Sequence, residues 1–145
     1  MKIQNKPIKI LIVEAVFYDD ISKMLLDGAI AKLKELKIDF DIIKLSGALE
    51  IPIAISIILK QNKNYDGFVA LGCVIRGETS HYETVCQESS RGLMNLAIKH
   101  GLAIGNGIIT VENEKQAFER ANKSELDKGG FAVKACLDLI KILKN

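Results

Sequence analysis

The chain has 145 residues, and this length predicts one domain over residues 1–145 rather than two. With 20 Lys and Arg against 18 Asp and Glu, the formal net charge of +2 is far from the basic surface of a dedicated nucleic-acid binder. The three cysteines form no CxxC pair, which argues against a disulfide framework and a zinc site. The hydrophobic fraction of 48% is high for one domain, so another subunit is expected to cover part of the surface.

The first apolar segment carries Lys9 and Glu14, which interrupt the apolar stretch that a secretion signal needs. No apolar run approaches the ~20 residues that a membrane span requires. We therefore expect a cytoplasmic protein with no membrane partner.

Strands and helices are predicted to alternate along the first half of the chain. Residues 8–13 form a β-branched and Leu run typical of a strand buried on both faces, and residues 21–36 have the apolar spacing of an amphipathic helix that ends at Lys37. Residues 40–45 predict a second strand and residues 50–61 a second helix. The polar residues expected to cap the first helix are Asp19, Asp20 and Ser22.

The second half continues the alternation. Residues 67–73 and 103–111 predict strands. A helix from Ser80 to about Lys99 is expected to begin with a capping box between Ser80 and Glu83 and to end at His100 and Gly101. Asn113 with Gln116 predicts the cap of a short helix through Ala121, and a last helix is expected from Lys128 or Gly129 to Leu143.

This alternation indicates an α/β fold with a parallel sheet covered on both faces, and such folds bind ligands at the carboxyl ends of their strands. Four segments are expected there: residues 17–20, 46–51, 73–81 and the segment near Asn113. Neither a P-loop nor a GxGxxG motif is present. Candidate functional residues should therefore lie in these four segments.

Each candidate residue also has a simpler structural explanation. The loop that leads to His81 can cradle an anion at a helix N-terminus or form an ordinary cap. His81 can shuttle protons, favoured as neutral imidazole by the helix dipole, or can be a merely exposed residue. Phe17 can stack on a planar ligand or belong to the core, and Glu50 can accept hydroxyl groups or complement its helix dipole. Basic side chains that can pair with phosphate or be simply solvated are Arg120 and Lys128.

Six motifs occur in order along the chain, and together they resemble the 6,7-dimethyl-8-ribityllumazine synthase family. This resemblance favours the functional explanation of the candidate residues over the structural one. The six motifs are Phe17, GALEIP at 47–52, GCVIRGETSHYE at 72–83, TVEN at 110–113, ERA at 119–121 and DKG at 127–129. The resemblance spans residues 8–143 and implies a flavodoxin-like three-layer α/β/α sandwich with a four-stranded parallel sheet. It also implies a homopentamer whose active sites lie between neighbouring subunits.

The resemblance implies a transferase of riboflavin biosynthesis. Its reaction condenses 5-amino-6-(D-ribitylamino)uracil with 3,4-dihydroxy-2-butanone 4-phosphate to 6,7-dimethyl-8-ribityllumazine, phosphate and water, without metal or organic cofactor. His81 would shuttle protons, and Arg120 of an adjacent subunit would bind the phosphate. The remaining substrate-binding residues implied are Phe17 for the pyrimidine ring, Ala48, Leu49 and Glu50 for the ribityl chain, Cys73, Val74 and Ile75 for the uracil edge through main-chain groups, Glu78 and Thr79 for the phosphate through their amides, Asn106 as a contact from the next subunit, and Lys128.

Several residues depart from the family pattern. Asn106 replaces a common aromatic, Tyr18 replaces a common Asn, and Phe131 replaces a position that is often acidic. Residues 121–127 lack the Gly-x-Lys-x-Gly turn of members that build sixty-subunit capsids, which favours a free pentamer. Two other functions are alternatives for this sequence: a flavin-binding or storage module on the same scaffold, and a structural shell or signalling domain.

Overall fold

Strands and helices alternate through residues 6–145, the part of the chain that the computed structural model describes. This confirms the predicted α/β architecture, while the single domain predicted over residues 1–145 includes residues 1–5, which lie outside the described part. None of the helices described is long and apolar enough to cross a bilayer. The strands are β1 (Lys9–Ala15), β2 (Asp39–Leu45), β3 (Gly67–Ile75) and β4 (Ile104–Val111), and the helices are α1 (Asp19–Glu35), α2 (Glu50–Lys60), α3 (His81–His100), α4 (Glu114–Ala121) and α5 (Lys128–Lys144).

The four strands form one parallel sheet in the order β2-β1-β3-β4. Ala15 is in register with Leu45, and Ile75 is in register with Val111, so β1 ends level with β2 and β3 ends level with β4, while β3 continues beyond its last pair with β1, Glu14 with Leu71. All four carboxyl ends therefore meet at one edge of the sheet, where the chain passes into the helices.

Side chains alternate between the two faces of the sheet, as the strand period of two requires. In β1, Ile10 and Ile12 belong to the core beneath α1, α4 and α5, whereas Leu11 and Val13 belong to the core beneath α2 and α3. All four side chains are fully buried. The nearly continuous apolar run that predicted a strand covered on both faces is thus confirmed.

Two strands extend further than the sequence predicted. β1 continues through Ala15 and β3 through Ile75, two residues beyond the expected ends at Val13 and Cys73. The physical reason is the ladder, because Val74 and Ile75 still have partners on β4. Strand ends are therefore set by the neighbouring strand as well as by local composition.

The predicted cap of α1 is wrong. Asp19 and Asp20 lie within its first turn, and the capping position is Tyr18, which makes no side-chain hydrogen bond to the helix. The Ser22 hydroxyl donates instead towards Glu14 Oε1, at 2.8 Å, and the Ala15 carbonyl, at 3.0 Å. Because Ser22 is the fourth residue of α1, it lies past the capping position, and its hydroxyl binds β1 instead.

The predicted ends of α1 and α3 agree with the structure. Lys37 has φ +56° and its N–H donates to Lys34 O at 3.1 Å, so the chain leaves α1 in a left-handed conformation. α3 ends at His100, followed by Gly101 with φ +61°.

The cap predicted for α4 and the predicted start of α5 are also present. The Gln116 N–H donates to Asn113 Oδ1 at 2.9 Å, which caps α4. At α5 the cap is Asp127, whose Oδ1 accepts from Gly130 N at 3.2 Å. The first helical residue is Lys128, one of the two predicted starts.

Glycines allow α5 to approach its neighbours at backbone distance. A Cβ on Gly129 would collide with the Leu25 carbonyl oxygen of α1. A Cβ on Gly105 of β4 would collide with the Ala132 carbonyl oxygen of α5. Because these obstacles are backbone atoms, they cannot rotate away.

We expect Gly105→Ala to lower the free energy of unfolding by roughly 1–3 kcal/mol, the usual range for overpacking a close contact. The matched control is Gly77→Ala, since a Cβ there would meet no atom within 4 Å. Urea denaturation of both variants at equal protein concentration measures the difference. Equal stability of the two variants would contradict the proposed backbone contact.

Candidate active site

A cavity of about 540 Å³ lies at the carboxyl edge of the sheet. Its walls come from the segments that follow β1 and β2, the end of β3 and the first turns of α2 and α3. This is where parallel α/β sheets bind ligands. The lining residues are Phe17, Tyr18, Ser46, Gly47, Ala48, Leu49, Glu50, Cys73, Val74, Ile75, Gly77, Thr79, His81, Tyr82 and Val85.

Most of the residues singled out from the sequence meet in this cavity. They are separated by up to 64 positions along the chain, and the parallel sheet brings them together. The structure shows this placement, while the role of each residue stays a prediction. The candidates that line the cavity are Phe17, Ala48, Leu49, Glu50, Cys73, Val74, Ile75, Thr79 and His81.

Phe17 presents an aromatic ring to solvent beside the cavity. Its side chain is 73% exposed, so the alternative that it belongs to the core does not hold for the chain by itself. The ring contacts Tyr18 edge to face, with centroids 4.9 Å apart and planes at 77°. Burial, with smaller contributions from Cys73 and Glu114, raises the pKa of Tyr18, which keeps this second ring uncharged at neutral pH.

Glu50 is the first residue of α2, and its carboxylate folds back over Gly47. A Cβ on Gly47 would lie 2.9 Å from Glu50 Oε1, so the glycine leaves room for the carboxylate. Glu50 is exposed and lies in the first turn, where a negative charge complements the helix dipole. The dipole explanation and a role as acceptor for ligand hydroxyls are therefore compatible.

The end of β3 supplies an apolar wall. Cys73 and Val74 are each only 8% exposed. Burial raises the pKa of the Cys73 thiol to about 12, so at neutral pH it remains a protonated, weakly polar group. Cys73 therefore adds no charge to this wall, and the main-chain role expected of residues 73–75 stays a prediction.

The first turn of α3 is not closed by the predicted capping box. Ser80 occupies the capping position and makes no side-chain hydrogen bond to the helix. The local contact is instead from the His81 N–H, which donates to Thr79 Oγ1 at 3.3 Å. Other backbone donors of this turn are thus left without a side-chain cap, as an anion site requires.

Glu83 fails to cap α3 because it pairs with Arg76. Arg76 Nη1 lies 2.6 Å from Glu83 Oε1, and Arg76 Nε lies 2.7 Å from Glu112 Oε2. The guanidinium also lies 4.4 Å from the Tyr82 ring centroid. The Arg76 hydrogen bond and charge hold the pKa of Glu83 below its usual range.

Sequence reasoning missed this arginine cluster, although a signal existed. Arg76 and Glu112 directly follow Ile75 and Val111, which are partners at the ends of neighbouring parallel strands. Residues that follow paired strand ends must lie close together. Adding strand order to the motif would have placed Glu112 beside Arg76.

Other lining residues were also missed. Tyr82 and Val85 share with His81 the side of α3 that faces the cavity, a placement that helical spacing of one and four residues indicates. Ser46, Gly47 and Gly77 line the cavity through the loops that carry the predicted residues.

Four predicted residues do not line the cavity of their own chain. Glu78 lies in the 76–80 loop with an exposed side chain, and Asn106 lies on β4 opposite Ala70, where its Oδ1 accepts from Ile108 N at 2.9 Å. Arg120 donates to the Gln116 carbonyl at 3.2 Å on α4. The last of the four is Lys128, whose ammonium lies 5.6 Å from the ring centroid of Phe131.

A second depression, of about 500 Å³, lies at the opposite end of the sheet. It is formed where α1 ends and β2 begins, by residues that include Lys9, Lys34, Lys37 and Asp39. None of the functional residues predicted from the sequence lines this depression. Within residues 6–145, no group of three or more His, Cys, Asp or Glu side chains is placed to hold a metal ion.

Comparison with known proteins agrees with the motifs. The model of the 6,7-dimethyl-8-ribityllumazine synthase family matches residues 7–144. Proteins named 6,7-dimethyl-8-ribityllumazine synthase from Bartonella henselae and Agrobacterium fabrum are 56% and 54% identical to this chain. Each alignment covers 97% of this chain, and covers 91% of the Bartonella protein and 97% of the Agrobacterium protein. With three of the six ordered motifs meeting at one cavity, these matches show that the chain belongs to the 6,7-dimethyl-8-ribityllumazine synthase family.

Proposed function

We propose that this chain condenses 5-amino-6-(D-ribitylamino)uracil with 3,4-dihydroxy-2-butanone 4-phosphate. The products are 6,7-dimethyl-8-ribityllumazine, inorganic phosphate and water. The observation that carries the proposal is the meeting of three of the six family motifs, those at residues 17, 47–52 and 72–83, in one cavity of a chain that is 56% identical to a lumazine synthase over nearly its whole length. The reaction needs proton transfers and loss of phosphate but no net oxidation, so the proposal includes no metal or organic cofactor.

The uracil substrate would bind along the Phe17 side of the cavity. The exposed ring offers a flat apolar face on which a pyrimidine can stack. The ribityl chain would then lie against Ala48 and Leu49, with the Glu50 carboxylate accepting hydrogen bonds from its hydroxyls. Main-chain groups of residues 73–75 would bind the polar edge of the uracil.

The phosphate would bind where the 76–80 loop enters α3. Amides of Glu78 and Thr79, together with the positive end of the helix, suit a dianion, while the Glu78 side chain points to solvent. His81 follows directly and lines the same cavity. Its imidazole would move protons during imine formation and phosphate elimination.

Holding both substrates in one cavity would supply much of the rate acceleration. Good orientation of two reactants is worth roughly 7–11 kcal/mol of barrier. Once both substrates are bound, the apolar wall of β3 and the aromatic rings would cover part of their surface. Proton transfer by His81 would therefore add to the rate acceleration that orientation of the two substrates already provides.

A neighbouring subunit would complete the site. Arg120 and Asn106 are the residues that the family pattern assigns to the ligand from an adjacent subunit, and neither lines the cavity of its own chain. Lys128, which the pattern also assigns to the ligand, lies outside the cavity as well. Four apolar side chains on α2 and α3 are more than half exposed, as expected of a surface that another copy covers. They are Ile53, Ile57, Met94 and Ile98.

We place the enzyme in the cytoplasm as a free homopentamer rather than a sixty-subunit capsid. The segment between α4 and α5 reads Asn-Lys-Ser-Glu-Leu-Asp over residues 122–127 and has no glycine. The exposed Phe131 and Lys128 lie just beyond it. Its turn is closed locally by Asn122, whose Oδ1 accepts from Ser124 N at 2.8 Å.

The test of the proposed function is lumazine formation from the two purified substrates. The protein should form product well above the spontaneous rate and release one phosphate for each lumazine. An intact oligomer that gives only the spontaneous rate would refute the proposal. Tight riboflavin binding without turnover would instead select the storage function.

For Arg120→Ala we expect a higher KM for the phosphorylated substrate with little change in KM for the uracil, because a forked charged contact to phosphate is lost. Charge-assisted hydrogen bonds of this kind are worth about 1.5–3 kcal/mol, so the rise should be about tenfold or more. Lys115→Ala removes a positive charge from the same helix and should leave both constants unchanged. Equal effects on the two substrates would contradict the assignment.

For His81→Ala we expect kcat to fall about 10²-fold, at the low end of acid–base contributions, since the cavity still orients both substrates. The pH dependence of kcat should lose the limb that imidazole titration causes. The control is His100→Ala, which changes the only other histidine, at the far end of the same helix. An unchanged pH profile in His81→Ala would argue against the proton shuttle.

Mixed oligomers test whether sites are shared. His81→Ala and Arg120→Ala subunits, each poorly active alone, should together recover about a quarter of wild-type activity when refolded in equal amounts, because that fraction of random interfaces pairs intact His81 with intact Arg120. Light scattering should give five times the 16.0 kDa chain mass. A site contained in one chain would give no recovery.

A further inference from the structure

The loop proposed to bind phosphate lies in acidic surroundings. Glu78 is in the loop, Glu83 lies one half-turn after His81, and Glu112 follows the end of the neighbouring strand β4. Glu83 lies in the first turn of α3, directly after the loop, and Glu112 binds Arg76, at the start of the loop. Uncompensated, these carboxylates would repel an incoming phosphate.

Arg76 contacts two of these three carboxylates. Its Nη1 binds Glu83 at 2.6 Å and its Nε binds Glu112 at 2.7 Å, both within the range of strong charge-assisted hydrogen bonds. The Arg76 N–H also donates to the Val111 carbonyl at 2.9 Å, so its backbone is joined to β4 as well. The side chain therefore links the ends of two strands to the first turn of α3.

Two features fix the orientation of this cluster. The guanidinium lies 4.4 Å from the centroid of the Tyr82 ring, which restricts its plane. Glu83 Oε2 is covered by protein and has no hydrogen-bond donor among the residues described, so its charge is offset chiefly through Oε1 and Arg76. Removing the arginine would leave a partly desolvated carboxylate beside His81.

Neither Arg76 nor its two acidic partners lines the cavity. The arginine is half-exposed, and two of its nitrogens are already engaged by carboxylates. Its influence on the ligand would therefore pass through Glu83 and Glu112. A single cation that binds both carboxylates restricts where they can point and offsets one of their two negative charges.

We propose that Arg76 is a positioning residue that holds Glu83 and Glu112 away from the phosphate loop and neutralises them, so that an anionic substrate can bind there. This inference rests on the proposed function, since the phosphorylated substrate supplies the anion. The role is electrostatic and acts on binding. It therefore selects for the charged substrate over the uncharged one.

The experiment compares Arg76→Ala, Arg76→Gln and Arg76→Lys with the triple variant Arg76→Ala/Glu83→Gln/Glu112→Gln. KM for each substrate and the dissociation constant for inorganic phosphate are measured. The Ala and Gln variants should raise the phosphate-dependent constants about tenfold, the scale of one charge-assisted contact, with little effect on KM for the uracil. The Lys variant should recover part of the loss.

The triple variant distinguishes an electrostatic effect of losing Arg76 from a change in the shape of the loop. It lacks the arginine cluster but also lacks the two charges, so phosphate binding should return to within about threefold of wild type. A triple variant as impaired as Arg76→Ala would overturn the proposal. Circular dichroism and light scattering verify that each variant is folded and assembled. If Arg76→Ala does not fold, the comparison is made between Arg76→Gln and the triple variant Arg76→Gln/Glu83→Gln/Glu112→Gln.

Arg91→Ala serves as the matched control. Arg91 pairs with Glu88 on the exposed side of the same helix, so its loss removes an arginine–glutamate pair that is remote from the loop. It should change neither KM nor phosphate binding. If wild-type protein forms no lumazine, the proposed function fails, whereas the order of phosphate affinities among the variants still tests the role of Arg76.

Discussion

The parallel pairing of the four strands is the constraint on which the site depends. β1 and β2 end together at Ala15 and Leu45, β3 continues beyond its last pair with β1 to Ile75, and the connections that follow all leave from the same edge of the sheet. The ring of Phe17, the Gly47–Glu50 turn and the His81 loop would otherwise be separate surface segments. Because backbone hydrogen bonds of the ladder set where these connections begin, the cavity is built on the sheet.

Much of the fold could be predicted from the sequence because the relevant signals are local. The buried run in β1 and the apolar spacing of α1 reflect periods of two and 3.6 residues, which are properties of the chain alone. Asn113 caps α4 because its acceptor and the Gln116 amide are three residues apart. Such short-range interactions require no knowledge of distant partners.

The predictions that were wrong depend on partners from other elements. Ser22 was expected to cap α1, but the buried Glu14 on β1 takes its hydroxyl. Glu83 was expected to close a capping box, but Arg76 at the end of β3 takes its carboxylate. In both cases the side chain binds a partner on another element instead of a helix amide. Spacing within one helix carries no information about these competitors.

The candidate site shows the same difference between local signals and distant partners. Residues near strand ends were placed correctly in the cavity, because the end of a parallel strand is a position that the sequence pattern reveals. Asn106 and Arg120 were chosen through family resemblance, and in one chain they lie on β4 and α4, outside the cavity. Their assignment concerns a surface between copies, which the folding pattern of one chain does not contain.

The hydrogen bonds of the Ser22 hydroxyl affect the entropy that is lost when a ligand stacks on Phe17. The hydroxyl joins α1 to both Glu14 and the Ala15 carbonyl, so the connection that carries Phe17 is only three residues long and is tied at each end. An aromatic ring on such a short bridge samples few conformations before anything binds. Stacking on it therefore freezes little backbone motion, and the entropy that a longer loop would lose on association is already lost when the chain folds.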